Sequence, residues 1–156
     1  MRRKDREIVD YKEILEIIEK CDCCRVGFYD GNEVYIVPLN FGYEYIDNKL
    51  TLYFHGAKEG RKVDLMEVAP SVGFEMDVNY KLNEGEVACK YSAGFESIIG
   101  NGRISIIDEL EDKKFGLGRL MLKATHKSDW DFPEAMINSV CVFKIEVTKL
   151  SCKRHE

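Results

Sequence analysis

Only three prolines are spread over the 156 residues (Pro38, Pro70 and Pro133), so no proline-rich linker marks a domain boundary. Long apolar runs are missing too. None approaches the roughly 18–20 residues of a membrane-spanning helix, which predicts that the membrane is not a partner. The opening Met1-Arg2-Arg3-Lys4-Asp5-Arg6 lacks the uninterrupted apolar core of a secretory signal. A cytoplasmic location is therefore expected, and with it reduced thiols rather than a disulfide framework. Positive charge is also in short supply, with 23 Lys and Arg against 28 Asp and Glu and a net charge of −5. Nucleic-acid binding depends on clustered cations over phosphates, so nucleic acid is not an expected partner. What is present is a chain 45% apolar and 33% charged. That suits one domain over residues 1–156, with 1–9 as a mixed-charge arm, and a core that needs no metal or disulfide staple.

Six cysteines stand at positions 21, 23, 24, 89, 141 and 152. Zinc sites use spaced pairs such as C-x-x-C. Here three thiols crowd into Cys21-Asp22-Cys23-Cys24 and the others stand alone. Neighbouring side chains on a strand point to opposite faces, so Cys23 and Cys24 do not naturally share an ion. Buried structural thiols are the preferred reading and metal or redox use the other, so no residue is assigned to a metal site.

The periodicity predicts mixed secondary structure. Asp10 with Glu13 has the form of a capping box opening a helix to about residue 20, with Tyr11, Ile14, Leu15 and Ile18 on its apolar face. Residues 26–29 and 34–41 around Asp30-Gly31-Asn32 read as a β-hairpin. Asp47-Asn48 turns the chain into a strand over 50–54, and a short helix over 59–68 ends near Pro70. Strands are expected over 71–78, 87–91 and 97–107. A helix over 109–125 with Leu110, Leu117, Met121 and Ala124 on one side follows, then a last strand over 137–150. Six or seven strands joined mostly by short turns, with three helices interleaved, predict an α+β architecture: an antiparallel sheet closed into a barrel with flanking helices.

Residues 34–62 carry the chemistry. Pro38 lies inside the apolar run Val34-Tyr35-Ile36-Val37-Pro38-Leu39-Asn40-Phe41, so that strand is an edge, is bulged, or faces a ligand. After the next strand comes His55-Gly56-Ala57-Lys58-Glu59-Gly60-Arg61-Lys62. Two glycines allow close backbone approach, a helix begins here, and Lys58, Arg61 and Lys62 supply cations. This combination suits a phosphate, Arg as a fork and Lys as a point charge. A solvated basic helix start is the alternative.

Val37-Pro38-Leu39-Asn40-Phe41, then His55-Gly56-Ala57-x-x-Gly60-Arg61-Lys62, then Ser97-Ile98-Ile99-Gly100-x-Gly102 resembles the pyridoxamine 5′-phosphate oxidase-like flavoproteins. The opening basic segment and Thr125-His126-x-x-x-Trp130-x-Phe132 resemble their nitroimidazole-resistance branch. The resemblance implies a split β-barrel, a homodimer, and FMN bound in two equivalent clefts between subunits. It implies an oxidoreductase passing two electrons from a small-molecule donor through FMN to a small acceptor such as a nitroaromatic. In that reading residues 37–41 offer backbone groups to the flavin pyrimidine, with Pro38 and Phe41 adding apolar surface. Lys62, Arg61 and then Lys58 hold the phosphate, with Gly56, Ala57 and Gly60 shaping the loop. His55 is the catalytic candidate, orienting substrate or hydrogen-bonding the flavin, against a local structural role. Ser97 and Gly100 complete the flavin site by resemblance, or mark a bulge or close packing. Trp130 covers the ring from the partner subunit, or is a core residue. His126 is read as a cation at a helix end rather than a base.

The carboxyl terminus lacks the Trp-x-x-x-Arg-Leu-x-Pro type signature of the true vitamin B6 oxidases, which argues against that substrate. A non-catalytic flavin carrier or sensor, or a haem-binding split barrel, is the alternative. Haem would draw its axial ligand from His55, His126 or His155, the three histidines.

Overall fold

The computed structural model describes residues 3–156, so Met1 and Arg2 of the basic opening segment lie outside the described residues. In chain order the elements are β1 (Glu7–Ile8), α1 (Tyr11–Lys20), β2 (Cys24–Tyr29), β3 (Val34–Leu39), β4 (Gly42–Ile46), β5 (Lys49–Gly56) and α2 (Arg61–Val68). Then follow β6 (Ser71–Asn83), β7 (Ser92–Ile107), α3 (Leu110–Thr125), α4 (Glu134–Ile137) and β8 (Cys141–His155). The strands form one antiparallel sheet in the order β3-β2-β6-β7-β8-β5-β4, with β1 added along β8. This is the α+β split barrel. Among the described residues no ladder joins its two edge strands, β3 and β4, although only Asn40 and Phe41 separate them in sequence.

Local chemistry explains most boundaries. Asp10 caps α1, its carboxylate accepting the Lys12 N–H at 2.9 Å. Asp47 and Asn48 both have positive φ, as a two-residue turn between β4 and β5 demands. Ile14, Ile17 and Ile18 of α1 and Leu65 and Met66 of α2 enter the same core as the inward residues of the strands. The two helices pack toward opposite ends of β7: Lys20 of α1 reaches Glu96, and Met66 of α2 lies by Arg103.

Three expectations are corrected. Residues 87–91 are not a strand; Ala88–Lys90 form a 3-10 turn at the tip of the β6–β7 hairpin, because each of those strands pairs with the other and leaves the tip no partner. The last strand starts at Cys141, after α4, and runs on to His155. The apolar face of α3 centres on Gly116 and Leu120, whereas Ala124 is exposed.

Outside the barrel, α3 covers one half of the sheet. Tyr53, Ile107, Leu120 and Val142 form a second small core there. Gly42 permits this, since a Cβ on it would run into the backbone of Arg119 and Leu120. Among the described residues no helix covers the other half of the outer face. One row across it reads Pro38, Arg25, Glu75, Ile99 and Ser151, and the next Ile36, Gly27, Gly73, Asn101 and Lys149.

Candidate functional site

His55 is exposed on the outer face of β5, opposite Val142, and Gly56 follows opposite Cys141. A Cβ on Gly56 would stand 2.9 Å from Cε and 3.0 Å from Nζ of Lys62. The missing side chain therefore lodges the Lys62 amine against the end of the strand. Burial pushes the Cys141 thiol up, and the nearby charges of Lys62 and Lys113 partly oppose that. After the exposed Ala57, Lys58 and Glu59, Gly60 takes φ +124°, open to glycine and strained for other residues. Gly60 is the N-cap of α2, no side chain caps the helix, and the Gly60 carbonyl accepts the Val63 N–H at 2.8 Å. The uncapped helix start and the ammonium beside it make a local anion-attracting surface.

Arg61 is engaged elsewhere. Its Nη2 donates to Oδ2 of Asp30 at 2.9 Å and to Oε1 of Glu33, and its guanidinium lies 4.7 Å from the centre of the Tyr35 ring. The β2–β3 turn thus holds Arg61 by two carboxylates and an aromatic face. Asp30 is itself fixed, because Oδ1 accepts the N–H groups of Asn32 and Glu33, each at 2.9 Å. Those two N–H groups, and then Arg61, keep its carboxyl below the usual range.

The proline-bearing strand β3 is an edge, one of the three outcomes Pro38 allowed, and Val34, Ile36 and Pro38 point outward. Val37 and Leu39 are half-buried. From Val34, beside the turn that holds Arg61, to Pro38 is about 13 Å of edge at roughly 3.3 Å per residue. Asn40 donates from Nδ2 to the Asp22 carbonyl at 3.1 Å, pinning the corner before β4. Phe41 does not add surface for a ligand. Its ring is buried 6.4 Å from that of Phe54, with the Lys123 ammonium 4.7 Å from its centre.

The remaining candidates lie apart. Ser97 pairs with Lys153 of β8, whereas His55 pairs with Val142, so about 36 Å of strand separates them at roughly 3.3 Å per residue. Within one chain they do not share a site. Gly100 is explained by packing, since a Cβ there would collide with the Phe74 ring and stand 2.9 Å from the Lys149 carbonyl. Trp130 is partly exposed beyond α3 and donates its indole N–H to Oγ1 of Thr125 at 3.3 Å. His126 closes α3 with φ 56°, its N–H on the Leu122 carbonyl at 2.8 Å and its ring 3.6 Å from Glu19.

A cleft of about 600 Å³ that the sequence reading did not single out opens between β8 and the start of α3. Tyr53, Ile107 and Phe115 form its apolar wall, and Asp108, Asp112 and Lys144 its polar one. Tyr53 stands two residues before His55 on the same face of β5, and that spacing was the available signal. Burial, with the Glu44 charge behind it, pushes the Tyr53 hydroxyl up to about 12, so it stays protonated at neutral pH. Four of the six thiols offer little chemistry: Cys21, Cys24, Cys141 and Cys152 are buried, and burial pushes Cys21 up to about 12 and Cys152 up to about 11, whereas Cys23 is partly buried and Cys89 exposed.

A family model described as pyridoxamine 5′-phosphate oxidase matches residues 10–154. A provisionally named 5-nitroimidazole antibiotic resistance protein from Bacteroides thetaiotaomicron is 32% identical in sequence. The match covers 95% of this chain and 86% of that one, with a TM-score of 0.81. Two more distant solved structures share the fold. The flavocytochrome Anf3 from Azotobacter vinelandii is 17% identical, with a TM-score of 0.81 over 100% of this chain and 72% of that one. A FAD and heme binding protein from Mycobacterium smegmatis is 11% identical, with a TM-score of 0.82 over 97% and 74%. No curated protein matches the sequence significantly.

Proposed function

The chain belongs to the pyridoxamine 5′-phosphate oxidase family, and from that premise we propose that it is an FMN-binding oxidoreductase. It takes two electrons from a reduced small-molecule donor and delivers them to a small acceptor, a nitroaromatic being the one its 32%-identical relative suggests. The observation that carries this reading is the cradle at the β5–α2 junction. Gly56 makes room for the Lys62 ammonium, and Gly60 opens an uncapped helix beside it. A phosphate monoester is the chemistry such a cradle accommodates.

FMN, when bound, supplies the two-electron chemistry. The chain's own residues bind and orient. Lys62, with Lys58 and the first turn of α2, holds the phosphate. The open backbone edge of β3 at Val37, Pro38, Leu39 and Asn40 offers donors and acceptors to the pyrimidine. His55 orients the substrate, and Tyr53, protonated on the same face, lines the apolar wall of the cleft at the start of α3.

The reading includes a homodimer that shares its two sites. Two observations support this. Ser97 reaches a His55-centred site only from a second chain, given their separation along the sheet. Half of the sheet's outer face also lacks a covering helix.

The absorption spectrum of the protein as purified tests the reading. Flavin bands released as FMN on denaturation are expected, and a Soret band in their place overturns it. Lys62→Ala is expected to weaken FMN about tenfold while leaving riboflavin nearly unchanged, as loss of one charge-assisted contact to phosphate requires. Equilibrium fluorescence titration with both flavins reads the difference, and unchanged FMN affinity removes Lys62 from the site.

A further inference from the structure

We infer that Glu33 is a specificity-determining residue of the proposed site: it serves as a built-in counter-anion on Arg61, which the phosphate of the cofactor must replace. This rests on the FMN reading above. It also explains why Arg61, the stronger anion ligand by chemistry, points to the β2–β3 turn and not to the cradle.

A guanidinium grips a phosphate in two-pronged fashion along either of two edges, one formed by Nε and Nη2, the other by Nη1 and Nη2. Both edges need an Nη2 hydrogen. Here Nη2 gives its hydrogens to Asp30 and Glu33, so neither edge is free while both carboxylates stay. A phosphate arriving at the start of α2 therefore finds only one free N–H on either edge of Arg61, unless one carboxylate leaves.

The two carboxylates are not equally able to leave. Asp30 is built into the turn by the N–H groups of Asn32 and Glu33, and moving it would open the hairpin. The Glu33 side chain is more than half exposed. Glu33 is thus the partner that yields, freeing one edge of Arg61. Asp30 and the Tyr35 ring keep the guanidinium in place, and the cost of removing Glu33 falls only on ligands that carry the phosphate.

The test compares FMN and riboflavin binding by fluorescence titration in wild type, Glu33→Gln, Arg61→Ala and the double variant. Glu33→Gln is expected to bind FMN about three- to tenfold more tightly, the size of one surface charge acting on a dianion, with riboflavin affinity unchanged. The gain is expected to vanish when Arg61 is Ala, because the effect runs through that side chain. Unchanged or weaker FMN binding in Glu33→Gln overturns the inference. So does an equal gain for riboflavin, or a gain that survives Arg61→Ala. Thermal melts of each variant check that exposed Glu33 is not needed for folding, and Glu33→Ala provides a second removal of the charge. If the wild type binds FMN no better than riboflavin and Lys62→Ala changes neither, the phosphate site itself fails, and the role of Glu33 falls with it.

Discussion

The two halves of the sheet's outer face are built from the same alternation of side chains and meet different fates. Under α3 the outward residues Tyr53, Ile107 and Val142 are buried against Leu120, with Gly116 and Gly42 allowing the helix to approach. Beyond the helix, Val34, Ile36 and Ile99 are each more than half exposed. They are interleaved there with Arg25, which donates to Glu75 at 3.0 Å and to Asp77 at 2.6 Å. The first half is closed by its own chain. The second combines apolar side chains, ion pairs and the small Gly27 and Gly73, and no helix among the described residues lies on it.

The largest expected effect is on the covered half. Gly42→Val places a side chain where the α3 backbone runs, so α3 cannot dock, and a loss of about 3 kcal/mol or more is expected in urea unfolding. A loss below about 1 kcal/mol would mean that α3 is not tightly seated. Next is the bare half, where Ile36→Lys adds a charge among exposed apolar residues. Self-association measured by sedimentation is expected to weaken at least about tenfold, with the melting of the isolated chain little changed. A dimer of unchanged affinity would place the partner on another face.

The smallest effect comes from a group that is both charged and covered. Glu96 lies buried under α1, accepting from Asn79 at 2.6 Å and from Arg154 at 2.7 Å, with Lys20 at 3.4 Å. Burial opposes its ionisation, yet the hydrogen bonds from Arg154 and Asn79 and the charges of Lys20 and Arg154 outweigh it and lower its carboxyl below the usual value. A lowered carboxyl contributes stability fully present above the unfolded-state value and lost as pH falls through the folded one. Glu96→Gln should therefore cost about 1–2 kcal/mol at pH 7 and flatten the loss of stability below about pH 4.5. An identical acid-unfolding profile in the variant would show that the network carries no net stability.

Where sequence signals were local, they were legible. The Asp10 cap and the Asp30-Gly31 turn are short-range chemistry and formed as expected, although Glu13 of the expected capping box pairs with Arg154, and of the edge, bulge or ligand-facing strand that Pro38 allowed the fold took the edge. Residues 87–91 misled because β propensity says nothing about whether a partner strand is free. Phe41 reads as ligand surface in a motif and is core in the fold, since a corner between two strands can turn a side chain inward. Arg61 is the clearest case. Sequence places it beside Lys62 at a helix start, but Asp30 and Glu33, about thirty residues earlier, decide what its fork holds.

By itself the sequence determined the three longer helices, the turns at Asp30-Gly31 and Asp47-Asn48, the alternation of most strands and the basic segment from Lys58 to Lys62, because periodicity, caps and turns act over a few residues. Tertiary structure alone decided which candidates meet. It buried Phe41, used Gly100 for the Phe74 ring, tied Arg61 to a distant turn, and set Ser97 far along the sheet from His55. It also left half of one sheet face uncovered. Those outcomes depend on register and strand order, which a sequence constrains only through the packing of the whole chain.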